Sequence, residues 1–271
     1  MPMRFGIDLG AGILGLIAGS FANVCISRLP RQESVIRPRS RCPHCGVPLR
    51  WYDNIPLVSF FALRGRCRRC GARIGWRYPR VEFVTAILFV QSIGRFGGAA
   101  AGGAWAQEGD VVIAVRNMVL VTLLVIVFFT DLYHYMIPNR ITYPGIAVGL
   151  FFAMLRGWPA AAAAAITAAA LGGGFILLNV LSARFLGEEG MGLGDAKLAA
   201  MIGAFLGWPM AGVAIFLGIF LGGIVGAVLL ALRKKKRREH IPFGPALAAG
   251  ALLAMWWGPA LLHWYVMRMV G

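Results

Sequence analysis

Two aspartates stand beside otherwise apolar stretches: Asp131 in "FFTDLYHYMIPNR" and Asp195 in "EEGMGLGDAKL". An ionisable side chain next to membrane-spanning sequence is costly, so its presence indicates a function. Two carboxylates that lie close together cannot both ionise easily, and they are expected to share a proton near neutral pH. One would then act as general base on a water molecule, while the other protonates or hydrogen-bonds a carbonyl group. This is the chemistry of an aspartic protease.

Glycines at positions 190, 192 and 194 precede Asp195. Gly192 and Gly194 would let a substrate backbone approach the carboxylate closely. A simpler hypothesis is that each aspartate only ends a helix at the water boundary, where Asp195 would also favour the start of its helix through the helix dipole. The pair, rather than either residue alone, favours the catalytic interpretation.

Four cysteines form two Cys-x-x-Cys pairs in the arginine-rich segment 28–80: Cys42, Cys45, Cys67 and Cys70. Four thiolates in two such pairs predict a tetrahedral structural zinc site. Two disulfides or incidental thiols are the alternatives, and a reducing cytoplasmic location disfavours the disulfides. Because the segment has few aliphatic residues, we expect zinc to supply much of its stability.

The composition indicates the elements that must position these residues. Hydrophobic residues make up 59% of the 271 and charged residues only 14%, which is typical of a membrane protein. Eight apolar stretches are long enough to predict transmembrane helices. They cover residues 9–27, 81–96, 111–130, 141–155, 160–183, 198–232 (divided into two at a turn over 207–209) and 243–266.

The basic residues predict the orientation. With eight crossings, the thirteen arginines of segment 28–80 and the "RKKKRR" of 233–238 fall on one side. This bias places that side in the cytoplasm and both termini in the periplasm, and it accounts for the net charge of +16 without nucleic acid as a partner. Asp131 and Asp195 then lie at one depth in one leaflet.

The predicted fold class is therefore an all-α polytopic membrane protein of about eight transmembrane helices. A small cytoplasmic zinc-binding loop domain lies between the first and second helices. The predicted domains are a first transmembrane helix (1–27), a zinc-ribbon-like segment (28–80) and a larger transmembrane domain (81–271) that carries both aspartates.

"GxGD" after a transmembrane aspartate resembles the GxGD aspartic proteases. Together with "GSFANVCISRLP", the cysteine pairs, "NIPLVSF" and "PFGPALAAGALLA", in this order, the chain is similar to the prepilin peptidases, or type IV leader peptidases. The resemblance implies that Asp131 and Asp195 are the catalytic pair. It also implies substrates, type IV prepilins or type II secretion pseudopilins, that are cut after a glycine at the cytoplasmic face of the bacterial inner membrane. The complete cysteine loop favours a second activity, methylation of the new N-terminus with S-adenosylmethionine.

No glycine-rich fingerprint marks a methyl-donor site. We expect that site among residues bordering the cysteine loop: Gly19, Ser20, Asn23, Arg28 and Glu82. Glu188 and Glu189 could meet a basic leader beside Asp195, or be solvated loop carboxylates. Membrane lipid is the other expected partner.

Two rival hypotheses remain. One is a proton-coupled transporter, in which aspartates relay protons. The absence of a visible inverted repeat, and the position of both carboxylates at one leaflet edge, count against it. The other is a peptidase that does not methylate.

Overall fold

A computed structural model describes residues 2–94, 111–186, 192–232 and 242–269. These parts of the chain are helical and contain no strand, which confirms the all-α prediction. The helices are α1 (Pro2–Arg28), α2 (Val58–Ala62), α3 (Arg77–Gly94), α4 (Val111–His134), α5 (Asn139–Met154), α6 (Trp158–Leu186), α7 (Leu193–Leu206), α8 (Met210–Ala231) and α9 (Gly244–Met269), with 3₁₀ turns at Leu29–Arg31 and Trp51–Asn54.

Five helices of the described residues are long and apolar enough to cross a membrane. They cover Phe5–Arg31, Val111–His134, Trp158–Phe185, Met210–Ala231 and Gly244–Met269. The predicted count of eight spans is therefore not confirmed. At 1.5 Å per residue, the 14 residues of α7 extend only about 21 Å, less than the roughly 30 Å of a hydrocarbon core.

The chain divides into two compact units, one of Met1–Gly97 with Asn117–Ile126 and one of Gly98–Arg116 with Val127–Gly271. In the first unit, α1 and α3 pack along each other. A Cβ added at Gly15 would lie 2.6 Å from Ala86 Cα, and one added at Gly19 would lie 2.6 Å from Glu82 Cα. The residue numbers of the contacting positions decrease along α3 as they increase along α1, so the two helices are antiparallel. Glycines four residues apart allow this close backbone approach.

Replacing Gly15 with alanine should destabilise this helix pair. The new methyl group would overlap the backbone of α3, and overpacking of this kind costs about 1–3 kcal/mol. Gly10→Ala is the matched control, because a Cβ there meets no atom within 4 Å. Thermal unfolding of the detergent-solubilised protein should show a lower midpoint for Gly15→Ala only. Equal midpoints would contradict the observed packing.

The second unit is built around α7, which contacts α5, α6, α8 and α9. Ten of its 14 residues are buried, as expected for a helix that is apolar on every face after Lys197. The close approach of α6 depends on small residues, since a Cβ at Gly203 would lie 2.9 Å from Ala168 Cα. The predicted turn over 207–209 is confirmed: α7 ends at Leu206, Gly207 has a φ of +65°, and α8 begins at Met210.

Two helices continue beyond the limits of the predicted spans at the ends that carry the aspartates. Helix α7 begins at Leu193, not at 198, so Asp195 lies within its first turn. Helix α4 continues to His134, beyond 130, so Asp131 lies within its last turn. A span predicted from hydropathy stops before a charged residue. The helix itself can include that residue, and a carboxylate in the first turn, as at Asp195, even stabilises the helix.

Candidate functional site

Asp131 is held at the end of α4 by the backbone of a distant segment. Its carboxylate is 5% exposed, and the Gly244 N–H donates a hydrogen bond of 2.9 Å to Asp131 Oδ2. A Cβ added at Gly244 would lie 2.7 Å from that same oxygen. Only glycine therefore allows the start of α9 to approach this carboxylate.

Asp195 has a similar environment at the start of α7. It is 9% exposed, and the Gly192 N–H donates a hydrogen bond of 3.2 Å to Asp195 Oδ2. The Asp195 N–H in turn donates to the Gly192 carbonyl at 3.0 Å. Each buried carboxylate thus accepts a hydrogen bond from a glycine amide, which costs no side-chain entropy.

The two carboxylates line one cavity of about 220 Å³ in the second unit. Its lining also includes Gly192, Gly194 and Lys197. The remaining lining residues are Tyr135, Met136, Ile137, Asn139, Pro242 and Phe243. Asp131, Asp195, Gly192 and Gly194 are therefore brought together, while Glu188 and Glu189 lie outside the described residues.

Ile137 packs between the start of α7, which carries Asp195, and the start of α9, whose Gly244 amide is bonded to Asp131. A Cβ added at Gly194 would lie 3.1 Å from Ile137 Cβ, and one added at Gly244 would lie 3.2 Å from Ile137 Cδ1. A single side chain therefore fixes the spacing between the start of α7 and the start of α9.

A lysine lies at the edge of the same cavity. Lys197 Nζ donates a hydrogen bond of 2.9 Å to Asn139 Oδ1, and it lies 5.4 Å from the centre of the Tyr143 ring. This contact joins the first residue of α5 to the second turn of α7. Asn139, Ile137 and Gly244 were not predicted as site residues. Asn139 and Ile137 follow Asp131 in "FFTDLYHYMIPNR", and Gly244 lies in "PFGPALAAGALLA".

The four cysteines of the first unit form one cluster. Their sulfur atoms all lie within 4.8 Å of one another, and Cys42 Sγ lies 3.9 Å from Cys70 Sγ. Tetrahedral zinc–sulfur bonds of 2.3 Å place sulfur atoms about 3.8 Å apart. All five cysteines of the chain are free thiols. The cluster can therefore bind a metal ion, and the disulfide hypothesis finds no support.

The two cysteine pairs have the same backbone structure. In the first, the Gly46 N–H donates to the Cys42 carbonyl at 2.9 Å; in the second, the Gly71 N–H donates to the Cys67 carbonyl at 2.9 Å. Both glycines have a φ of +69°, a conformation that favours glycine. Each cysteine pair is therefore followed by a tight turn at its glycine.

Hydrogen bonds within the cluster prepare its thiols for a cation. The backbone amides of Cys70 and Arg69 donate to the Cys67 sulfur and lower the pKa of that thiol to about 7. At Cys70 the amide of Ala72 lowers the pKa, but desolvation and the neighbouring thiols outweigh it and raise the pKa to about 11. Four sulfurs this close repel one another once ionised, and a bound cation removes that repulsion.

The candidate methyl-donor residues are only partly grouped. Ser20 and Glu82 are hydrogen-bonded to each other, and Asn23 Nδ2 donates to the Tyr78 carbonyl at 3.0 Å. The buried Asn23 Oδ1 has no hydrogen-bond partner among the described residues. Gly19 faces α3. Arg28 instead donates to the Ser34 carbonyl at 3.0 Å and so holds the loop that follows α1.

Comparison with protein families gives two matches in order along the chain. Residues 13–96 match the bacterial peptidase A24 N-terminal domain. Residues 118–227 match the type IV leader peptidase family. The first match includes all four clustered cysteines, and the second includes both aspartates. No solved structure matches the chain.

Curated relatives cover most of the chain. A prepilin leader peptidase/N-methyltransferase of Myxococcus xanthus is 41% identical over 247 residues, which are 90% of this chain and 70% of the relative. The protein of that name from Bacillus subtilis is 37% identical over 96% of this chain and 98% of its own length. The Pseudomonas aeruginosa protein of that name is 34% identical over 94% of this chain and 91% of its own length. On these matches, the chain belongs to the type IV leader peptidase family.

Proposed function

We propose that this chain is a bifunctional membrane enzyme. It removes the leader of type IV prepilins or pseudopilins after a glycine, and it then methylates the new N-terminal residue. The observation that carries the peptidase assignment is the single cavity lined by two buried, amide-bonded carboxylates. The names of the relatives support both activities.

In the proposed cleavage, Asp131 and Asp195 share the acid–base work. One carboxylate removes a proton from a water molecule, which attacks the scissile carbonyl carbon. The other donates a proton to the carbonyl oxygen, and the amine leaves once its nitrogen has been protonated. The Gly244 and Gly192 amides keep both carboxylates in place throughout. The glycines at 192 and 194 leave room for a substrate backbone.

The methyl donor of the second step is proposed to be S-adenosylmethionine. When bound, it supplies a methyl group on a positively charged sulfur, which the neutral fraction of an amine with a pKa near 8 can attack. Glu82 would attract this positive charge, and the unpaired Asn23 Oδ1 could accept a hydrogen bond from the donor. Ser20 would orient Glu82, while Gly19 and Arg28 would shape the surrounding backbone.

The four-cysteine cluster is proposed to bind structural zinc through Cys42, Cys45, Cys67 and Cys70, since four thiolates at these separations suit that ion. The proposed location is the bacterial inner membrane, with the cluster and the aspartates facing the cytoplasm and both termini in the periplasm. The distribution of basic residues supports this orientation. The domain limits are proposed as 1–27, 28–80 and 81–271.

A single assay tests both activities. Purified protein in detergent is incubated with a prepilin and with S-adenosylmethionine labelled in its methyl group. We expect a shortened pilin that carries the label. Cleavage without label would leave only the peptidase assignment, and a failure to cleave would contradict the proposal.

Replacing Gly244 with alanine should slow leader cleavage by about 100-fold, the cost of a displacement near 1 Å in a catalytic group. The added methyl group would lie 2.7 Å from Asp131 Oδ2 and must displace it. Gly223→Ala is the matched control, since a Cβ there meets no atom within 4 Å. The assay is the initial rate of cleavage in detergent. Equal rates for both variants would show that the approach of α9 to Asp131 is unimportant.

Zinc affinity should fall as the pH falls below about 7. In the metal-free cluster the Cys67 thiol ionises near this pH, and protons compete with the metal below it because only the thiolate binds. Above pH 7 that competition from Cys67 is lost. Zinc release to a chromogenic chelator, measured between pH 5 and 8, shows whether the affinity falls as the pH falls. An affinity that rises on acidification would contradict thiolate ligation.

A further inference from the structure

The short helix α2 is tied to α3 at a level within the apolar part of α1. The Leu57 N–H, at the start of α2, donates a hydrogen bond of 2.8 Å to Glu82 Oε2. Glu82 lies directly opposite Gly19 on α1. Gly19 comes nine residues before Arg28, the last residue of α1. At 1.5 Å per residue, this contact lies about 13 Å from the end of α1.

Helix α1 is long and apolar enough to cross a membrane, and α3 runs beside it. A segment attached at the level of Gly19 therefore lies beside the apolar part of α1, not beyond the end of that helix. Leu57 has a φ of +58°, which is unusual for a residue with a bulky side chain. The hydrogen bond to Glu82 holds this conformation and satisfies the amide, as membrane depth requires.

The side chains of α2 are arranged in the opposite way to those of a water-facing helix. Its polar residue, Ser59, is only 8% exposed; its hydroxyl donates to the Tyr52 carbonyl at 2.7 Å. Its apolar residues Val58 and Phe61 are 60% and 63% exposed. The six residues 57–62, "LVSFFA", contain no charge.

Aromatic residues extend this apolar surface to the start of α3. The Phe60 ring centre lies 5.6 Å from that of Phe61 and 5.1 Å from that of Trp76. Trp76 is 59% exposed and directly precedes the first residue of α3. Tryptophan is typical of the boundary between headgroups and acyl chains.

The charge of the surrounding segment suits the same location. Residues 28–80 contain thirteen arginines and two acidic residues, Glu33 and Asp53. Asp53 is paired with Arg68 at 2.9 Å. Most of these arginines are therefore available to the phosphates of anionic lipids, each contributing about 1 kcal/mol near the surface.

We propose that Val58, Phe61 and Trp76 form a membrane-inserted surface, and that its partner is the lipid of the same bilayer that α1 crosses. The surface anchors the cysteine segment against the leaflet, with Glu82 as its tether. The segment between α1 and α3 then lies on the membrane and is not a freely soluble domain. This inference does not depend on leader cleavage or methylation.

Depth-dependent quenching tests the proposal. A fluorescent amino acid is incorporated at position 61 of the full-length protein, in nanodiscs of phosphatidylglycerol and phosphatidylcholine with a nitroxide on the acyl chain. Position 17 is the positive control, since Ile17 is 57% exposed on the membrane helix α1. Position 69 is the negative control, because Arg69 is exposed between two cysteines of the cluster. A second label site at Val58 covers the case in which the position 61 variant does not fold.

We expect quenching at positions 61 and 58 to be similar to that at position 17 and several-fold stronger than that at position 69. Quenching at both sites as weak as at position 69 would overturn the proposal. So would a signal at position 61 that ignores the lipid nitroxide and changes only when prepilin is added, because the surface would then bind substrate instead of lipid.

Discussion

Asparagine at position 131 or 195 is expected to reduce leader cleavage by about 10³-fold or more, within the usual range for loss of a general acid or base. Asparagine has nearly the same shape as aspartate, and its oxygen can still accept the hydrogen bond that Gly244 or Gly192 donates. The fold should therefore be preserved while the ionisable group is lost. Combining both substitutions should add little, since the two carboxylates act as one unit.

The control for this experiment is Asp53→Asn, the same chemical change at an aspartate that lies outside the cavity. Asp53 is paired with Arg68 instead. It should cleave at the wild-type rate. Each catalytic variant should also still methylate a synthetic pilin peptide without its leader, because that step does not use the aspartates. Normal cleavage by either asparagine variant would reject the two-carboxylate mechanism.

Serine at Cys42 is expected to cause the second large effect, loss of bound zinc together with loss of structure in the cysteine segment. Structural zinc sites contribute about 10–16 kcal/mol of apparent binding free energy in small domains. The segment has little hydrophobic core of its own, since Cys42 is the only buried apolar residue among residues 30–76. Removal of one of four ligands should thus abolish stable metal binding.

Two measurements check this expectation. The metal content per chain should fall from about one zinc ion to none. Trypsin should then cut rapidly at Arg66 and Arg68, which flank Cys67. Cys25→Ala is the control, because Cys25 is buried in α1 and is not part of the cluster. A Cys42→Ser protein that keeps its zinc and its resistance to trypsin would contradict a structural metal.

Local patterns in the sequence were enough to predict several features. The apolar lengths gave the approximate position of every long helix, and Gly207 marked the turn between α7 and α8. The Cys-x-x-Cys spacing predicted a cluster that the structure contains. Each of these predictions depends on residues within one or two short segments, so it does not require knowledge of how distant parts of the chain pack.

The sequence did not reveal the contacts that depend on distant segments. Gly244 donates to an aspartate 113 residues earlier in the chain, and no periodicity links the two positions. The limits of α7 were misplaced for a related reason: Asp195 looks like a boundary in a hydropathy plot, although its hydrogen bond to the Gly192 amide makes it part of the helix. The close contact of Gly19 with the backbone of α3 could likewise not be inferred from the local sequence.

The donors to the two carboxylates are main-chain groups, and this affects how the site can be studied. A survey that replaces side chains one at a time leaves every peptide N–H in place, so it detects such a donor only indirectly, as when an added Cβ at position 244 displaces the carboxylate. Only an ester linkage introduced by chemical synthesis, or proline at 192 or 244, deletes the donor atom itself. Substitutions that accumulate during evolution meet the same limit. They can change these two hydrogen bonds by moving the backbone or by introducing proline, but not by exchanging one side-chain functional group for another.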